Sequence, residues 1–107
     1  MDTYELIEKT KKIASQFPIQ LNKHELFIDL AEELGELAQA ILITDKRKIT
    51  NDPKKQKSIA DISDALCDAL YDIFLLADTY KIDLPEEYQK MLVQMQQRFD
   101  TGEFHDD

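Results

Sequence analysis

Asp29, Glu32, Glu33 and Glu36 stand at i, i+3, i+4 and i+7, a spacing that gathers four carboxylates into one arc of a helix. Further on, Asp61, Asp64, Asp68 and Asp72 recur at steps of three and four. Two acidic stripes brought face to face repel each other. A divalent cation between them turns that repulsion into attraction. All the candidate ligands are carboxylate oxygens with no Cys/His cluster, which favours a hard ion, Mg²⁺ or Mn²⁺, over zinc. Such an ion leaves positions for phosphate oxygens and water, neutralises developing charge and helps ionise an attacking water. A carboxylate outside the ligand set can serve as general base, and crowding raises the pKa of some members toward that use.

A charge run on a helix is most often a solvated face, with acids set four residues from bases. Here acids stack on acids, and along the second stripe only Lys57 and Asp61 form an opposite-sign i, i+4 pair. Aspartate is also a poor helix former, so its repetition beside an apolar face is costly unless it has a use. Each stripe borders the apolar face of its own helix, and in a bundle those edges can converge.

The elements that must hold these residues are four helices. The first is expected from about Thr3 to Gln16, ended by Pro18. The second starts at the N-cap Asn22, with Glu25 three residues on, and continues to about Ile43. Leu26, Phe27, Leu30, Leu34, Leu37, Ala38, Ile41 and Leu42 make its broad apolar face. Thr44 to Lys57 reads as a connection, with Asp45, Asn51, Asp52 and Pro53 as turn formers. The third helix opens near Ser58 and runs to about Tyr80, with Ile59, Ile62, Leu66, Ala69, Leu70, Ile73, Leu76 and Ala77 inside. Ile82-Asp83-Leu84-Pro85-Glu86-Glu87 signals a fourth start, followed by Tyr88, Met91, Leu92, Met95 and Phe99. The expected fold is all-α, a four-helix bundle in a single domain over residues 1–107, with a core over 3–99 and an acidic tail over 100–107.

The totals agree. The chain has 107 residues, two glycines, three prolines and a formal charge of −9. That charge argues against a general nucleic-acid or membrane-surface binder and suits a cation binder. Cys67 stands alone, so no internal disulfide is expected, and it reads as a small buried apolar residue. No stretch reaches membrane-spanning length, and Met1–Glu5 lacks the pattern of a signal peptide; a cytoplasmic protein is expected. Lys46, Arg47, Lys48, Lys54, Lys55 and Lys57 crowd the connection of this acidic chain. They are candidates to meet the distal phosphates of a nucleotide, with Lys46, Lys54 and Lys57 foremost; a solvated loop that moderates net charge is the plain alternative.

At these residues the sequence resembles the MazG-like all-α nucleoside triphosphate pyrophosphohydrolases. That family carries Glu-Glu-x-x-Glu on one helix and Glu-x-x-Asp on the next. Glu32-Glu33-Leu34-Gly35-Glu36-Leu37 matches the first motif. Asp64-Ala65-Leu66-Cys67-Asp68, then Leu75-Leu76-Ala77-Asp78 and Ile82-Asp83-Leu84, resembles the second region, so the likeness spans roughly Asn22 to Phe99. It implies a helical bundle forming a homodimer or homotetramer, with Mg²⁺ between the motif helices. It also implies hydrolysis of a (deoxy)nucleoside triphosphate to monophosphate and pyrophosphate, a house-cleaning role in nucleotide pools. By that resemblance Glu33, Glu36 and Asp68 are metal ligands, and Glu32 supports the site or orients the water. With Asp68 as the motif aspartate, the motif glutamate falls on Ala65, which cannot ligate; Asp64 and Asp61 are the substitutes. The register Asp61-Ile62-Ser63-Asp64 is a second way to lay the motif on the chain.

The competing reading is a relative that has lost catalysis and serves as a metal- or nucleotide-binding module, and Ala65 is the residue that favours it. A plain acidic interaction protein without metal is the third. Phe27, Tyr71 and Phe74 are aromatics that could stack on a base, although helical spacing places such residues in the core more often. His24 reads as a helix-end histidine, with contact to base or phosphate as the alternative.

Overall fold

The computed structural model describes residues 1–46 and 51–103. Four α-helices carry most of them, and no strand occurs among the described residues: α1 (Thr3–Ala14), α2 (Lys23–Thr44), α3 (Ile59–Thr79) and α4 (Leu84–Asp100), with one 3₁₀ turn at Pro53–Lys55 between α2 and α3. Arg47 and Lys48 of the basic connection, and residues 104–107 of the tail, lie outside the described residues. No described helix is long and apolar enough to cross a membrane.

Local chemistry sets the helix starts. The Asp2 carboxylate accepts from Glu5 N and opens α1. Asn22 and Glu25 form the reciprocal capping box at α2, at 2.9 and 3.0 Å. Asp83 accepts from Glu86 N, with Pro85 in the first turn of α4. The ends are equally local. α1 stops at Ala14, two residues before the expected Gln16, where Gln16 N turns back to Ile13 O ahead of Pro18. α3 closes with Ile82 N on Ala77 O and Lys81 N on Asp78 O, the paired bonds of a Schellman motif. That motif needs a left-handed residue, and Lys81 takes the place at φ 57°. Gly102, at φ 81°, does the same after α4.

Packing within one chain is uneven. α2 lies along α3, α1 leans on α3, and α4 makes no extended packing with any other helix among the described residues. Lys11 ties α1 to Asp78 of α3 at 3.3 Å, and Tyr4 Oη donates to Asp83 at the head of α4 at 2.9 Å. The buried apolar set is short: Leu26, Ala40, Ala65, Ala69 and Phe74. Three of the five are alanines, which let the α2 and α3 backbones approach closely. The radius of gyration is 17.8 Å, against about 13 Å for a compact chain of this length.

Much of the expected interior is therefore on the surface of a single chain. Phe27, Leu34, Ile41 and Leu42 of α2, and Leu66, Leu70 and Ile73 of α3, are exposed. So are Tyr88, Met91, Leu92, Met95 and Phe99 of α4. Tyr4 and Ile13 of α1 are exposed too, and α1 buries no residue at all. Cys67 corrects an expectation outright: it is exposed. Ala65 and Ala69 turn toward α2, and the residue midway between them on a helix points the other way.

Candidate functional site

The site is built in the seam between α2 and α3. On α2 the buried residues are Leu26 and Ala40, and Glu33 lies midway, seven residues from each. A seven-residue step is close to two full turns, so all three share one line along the helix. On α3, Ala65, Ala69 and Asp72 are buried at i, i+4 and i+7, again one line. Each helix thus places an acid where an apolar residue would ordinarily complete the packing.

The carboxylates of the two helices meet there. Glu33 is held above the usual carboxylate range by burial first, then by the charges of Glu36, Asp68 and Asp29. Asp72 is pushed up to about 7, by burial first, then by a carboxyl–carboxylate hydrogen bond with Asp29 and the charges of Asp29, Glu33 and Asp68. Asp29 therefore faces Asp72, and Glu33 faces Asp68. Such pairing requires antiparallel helices, since each step up α2 is a step down α3. One turn further on, Glu36 of α2 comes level with Ala65 of α3.

Two oxygens in this seam are buried without a hydrogen-bond partner: Asp72 Oδ2 and Glu33 Oε2. Asp72 is 1% exposed, the largest fully buried side chain among the described residues. A carboxylate oxygen left in that state is costly, and a proton or a cation relieves it. As they stand, no three His, Cys, Asp or Glu groups among the described residues are gathered tightly enough to hold a metal ion. The donor set, all oxygen and anionic, fits Mg²⁺ or Mn²⁺.

The remaining candidates fall around this cluster. Glu32 is exposed on α2 beside Glu33, and Glu36 is exposed one turn along. Asp64 is exposed on α3, one turn before Asp68. Asp61 has other work: its Oδ2 accepts from Ser58 N at 2.8 Å and from Ser58 Oγ at 3.0 Å, closing the start of α3. Those bonds, the backbone one foremost, hold Asp61 below the usual carboxylate range, with Lys57 adding to the effect. Lys46, Lys54 and Lys57 are exposed at the connection, on the end of the hairpin nearer Glu36 than Asp29. His24 is exposed in the first turn of α2.

At the opposite end of the hairpin lies a groove of about 500 Å³. Phe17, Ile19, Leu21, Leu26, Tyr71 and Leu75 give it apolar walls, with Ser15, Gln20, Thr79 and the Lys11–Asp78 ion pair as polar groups. Gln20 Nε2 donates to Ala14 O and Phe17 O and so shapes the strap between α1 and α2 that forms one wall. Of the three aromatics that could meet a base, Tyr71 lines this groove, Phe74 is buried, and Phe27 is exposed. Tyr71 adjoins Asp72 in sequence, and Leu26 is one turn from Asp29, so the groove borders the acidic seam.

Sequence reasoning placed Asp29 and Asp72 in the stripes and gave neither a role. The signal was present for Asp72. It falls three residues after Ala69 and four before Leu76, inside the apolar arc of α3, whereas Asp64 and Asp68 fall beside that arc. No family model matches the chain, and neither does any curated protein or solved structure.

Proposed function

We propose that this chain is a Mg²⁺- or Mn²⁺-dependent pyrophosphohydrolase of nucleoside triphosphates, of the MazG-like type. The observation that carries the reading is the meeting of Glu33 and Glu36 of α2 with Asp68 of α3 in one seam. Two helices bring acids to one seam, and two of the seam's oxygens lack a hydrogen-bond partner.

In this reading Glu33, Glu36 and Asp68 would hold the ion, with Asp64 as the outer candidate, since Asp61 is taken up at Ser58. The ion, when bound, screens the triphosphate's charge and lowers the pKa of water. Glu32, exposed at the margin of the cluster, orients the attacking water and accepts its proton. The water oxygen bonds to phosphorus, and the bridge between the α- and β-phosphates breaks. The electron pair leaves with pyrophosphate, and the nucleoside monophosphate remains. Lys46, Lys54 and Lys57 offer cations to the distal phosphates, and the groove beside Tyr71 offers apolar walls to the base.

The assembly is proposed as a homodimer or homotetramer. Leu66, Leu70 and Ile73 of α3 and Phe27, Leu34 and Ile41 of α2 recur at helical spacing and are exposed. A second copy of the same hairpin laid on that face would complete a four-helix core. A cytoplasmic location accords with this reading.

Pyrophosphate release from each common (deoxy)nucleoside triphosphate, with Mg²⁺ and with EDTA, is the test. Metal-dependent release is expected. E33Q and D68N should each lower kcat on the order of 100-fold, about 2.7 kcal/mol of transition-state stabilisation. Absence of turnover with every nucleotide tried overturns the catalytic reading.

One observation favours a second reading, a metal- or nucleotide-binding module without turnover. Ala65, level with Glu36, is buried and carries no ligand atom where the resembling motif has a glutamate. Calorimetry showing tight nucleotide binding without product would select it.

A further inference from the structure

We propose that the groove where the strap meets α1 and α3 selects a nucleobase bearing an exocyclic amino group, cytosine or adenine over uracil or thymine, and that Gln20 Oε1 is the acceptor that reads it. The inference rests on the nucleotide reading above and names the substrate class for it.

The size and lining of the groove suit a flat, neutral ring. Its volume of about 500 Å³ lies within the range of about 300–1,000 Å³ usual for small-molecule sites. Phe17 and Tyr71 bring aromatic rings to it, and Leu26 and Leu75 bring aliphatic wall. Lys11, the cation of the wall, stands between Glu8 at 3.2 Å and Asp78 at 3.3 Å. Its charge is already matched, so the groove offers little to a phosphate. Leu26 precedes Glu33 by seven residues, about 10 Å along α2. A ring seated in the groove therefore leaves its phosphates within reach of the acidic seam.

The hydrogen-bonding sense of the walls decides which ring. Gln20 Nε2 donates to two backbone carbonyls, Ala14 O at 3.1 Å and Phe17 O at 2.7 Å. Both partners are acceptors, so the amide cannot be turned over: its nitrogen must lie on the strap. Both N–H bonds are thereby spent, and Oε1 is the atom left to a ligand. Ser15 Oγ donates to Lys12 O at 2.6 Å, and Thr79 Oγ1 donates to Leu75 O at 2.9 Å. Each hydroxyl has spent its single proton and keeps only lone pairs. The Asp78 carboxylate is an acceptor too. Tyr71 Oη can act in either sense and does not discriminate. The polar side chains of the groove thus present mainly acceptors, which pair with the N–H bonds of an amino group. The carbonyl that uracil or thymine carries at that position meets lone pairs instead and gives up its hydrogen bond with water.

The test uses the whole chain and free nucleosides in EDTA, so that neither metal nor hydrolysis enters. Deoxycytidine, deoxyadenosine, deoxyuridine and thymidine are titrated while backbone amide shifts are followed by NMR. The amino-bearing pair should bind about tenfold more tightly and should shift amides of the strap and of α3 around Tyr71. Derivatives dimethylated on the exocyclic nitrogen keep the ring and lose the donors, and should bind no better than deoxyuridine. Gln20→Leu should bring all these nucleosides to equal affinity; a purely structural Gln20 would weaken them in proportion and leave the preference intact. Should Gln20→Leu misfold, the dimethylated compounds decide alone. Deoxyuridine or thymidine binding as tightly as deoxycytidine overturns the proposal, as does the absence of any shift in these amides. In either case pyrophosphate release with Mg²⁺ still decides the enzyme reading separately. Preference for the amino-bearing pair without metal-dependent turnover upholds the proposal and removes the enzyme reading, leaving the binding module.

Discussion

Asp72 of α3 shares a carboxyl–carboxylate hydrogen bond with Asp29 of α2, while its second oxygen, Oδ2, is buried without a partner. That arrangement is unstable for two charged groups and stable for one proton or one cation between them. Metal-free and metal-loaded chains should therefore differ in their response to pH.

In metal-free buffer the folded chain keeps a proton on Asp72 up to about pH 7, while the ordinary value of the free side chain is 3.8. The raised carboxyl supports the fold fully below the lower value, and that support is lost as pH rises through the upper one. The upper bound is about 4 kcal/mol. Thermal midpoints in EDTA at pH 5, 6, 7 and 8 should fall across that range, and D72N should flatten the decline. Parallel curves for the two proteins would show that Asp72 does not titrate in this window.

Ala65→Glu tests what position 65 withholds. The site is buried and level with Glu36, so a glutamate there crowds the seam and adds charge. In EDTA the variant should lose about 1–3 kcal/mol of stability. With Mn²⁺ the loss should be recovered and pyrophosphate release should rise. A metal-dependent shift no larger than wild type would mean that no ion reaches that level of the seam.

Leu66→Lys with Leu70→Lys tests the second copy. Both residues are about half exposed, each one position past a buried alanine of α3. Wild type should sediment as a dimer or tetramer and the double variant at the mass of one chain. A wild type that sediments as a single chain would rule out the homo-oligomer at the concentration used.

Lys81→Gly tests the close of α3. Lys81 sits at φ 57° between the two bonds of the Schellman motif. Glycine adopts that conformation without the clash of a Cβ, so stability should rise by about 1 kcal/mol. For a domain near this size that corresponds to about 4–8 °C in thermal midpoint. No increase in a thermal melt would indicate that the Lys81 stem has packing that offsets the strain.

The amino-acid sequence by itself determined the local structure. Asn22 with Glu25, Asp83 with Pro85, and the breaks at Pro18 and around Asp52-Pro53 act over a few residues, so each helix start was readable from its own neighbourhood. The two acidic stripes were equally plain, because helical periodicity alone puts their members on one side. Tertiary structure decided which acids meet and which are buried. That choice depends on the relative register of α2 and α3, and no residue in either helix encodes it singly. The register pairs Asp29 with Asp72 and Glu33 with Asp68, and leaves Ala65 level with Glu36. It sends Cys67 to the surface and Asp72 to the interior, though the two are five residues apart on one helix. The physical reason is that a helix fixes angles among its own side chains, while desolvation and charge coupling arise only when a second helix closes over them.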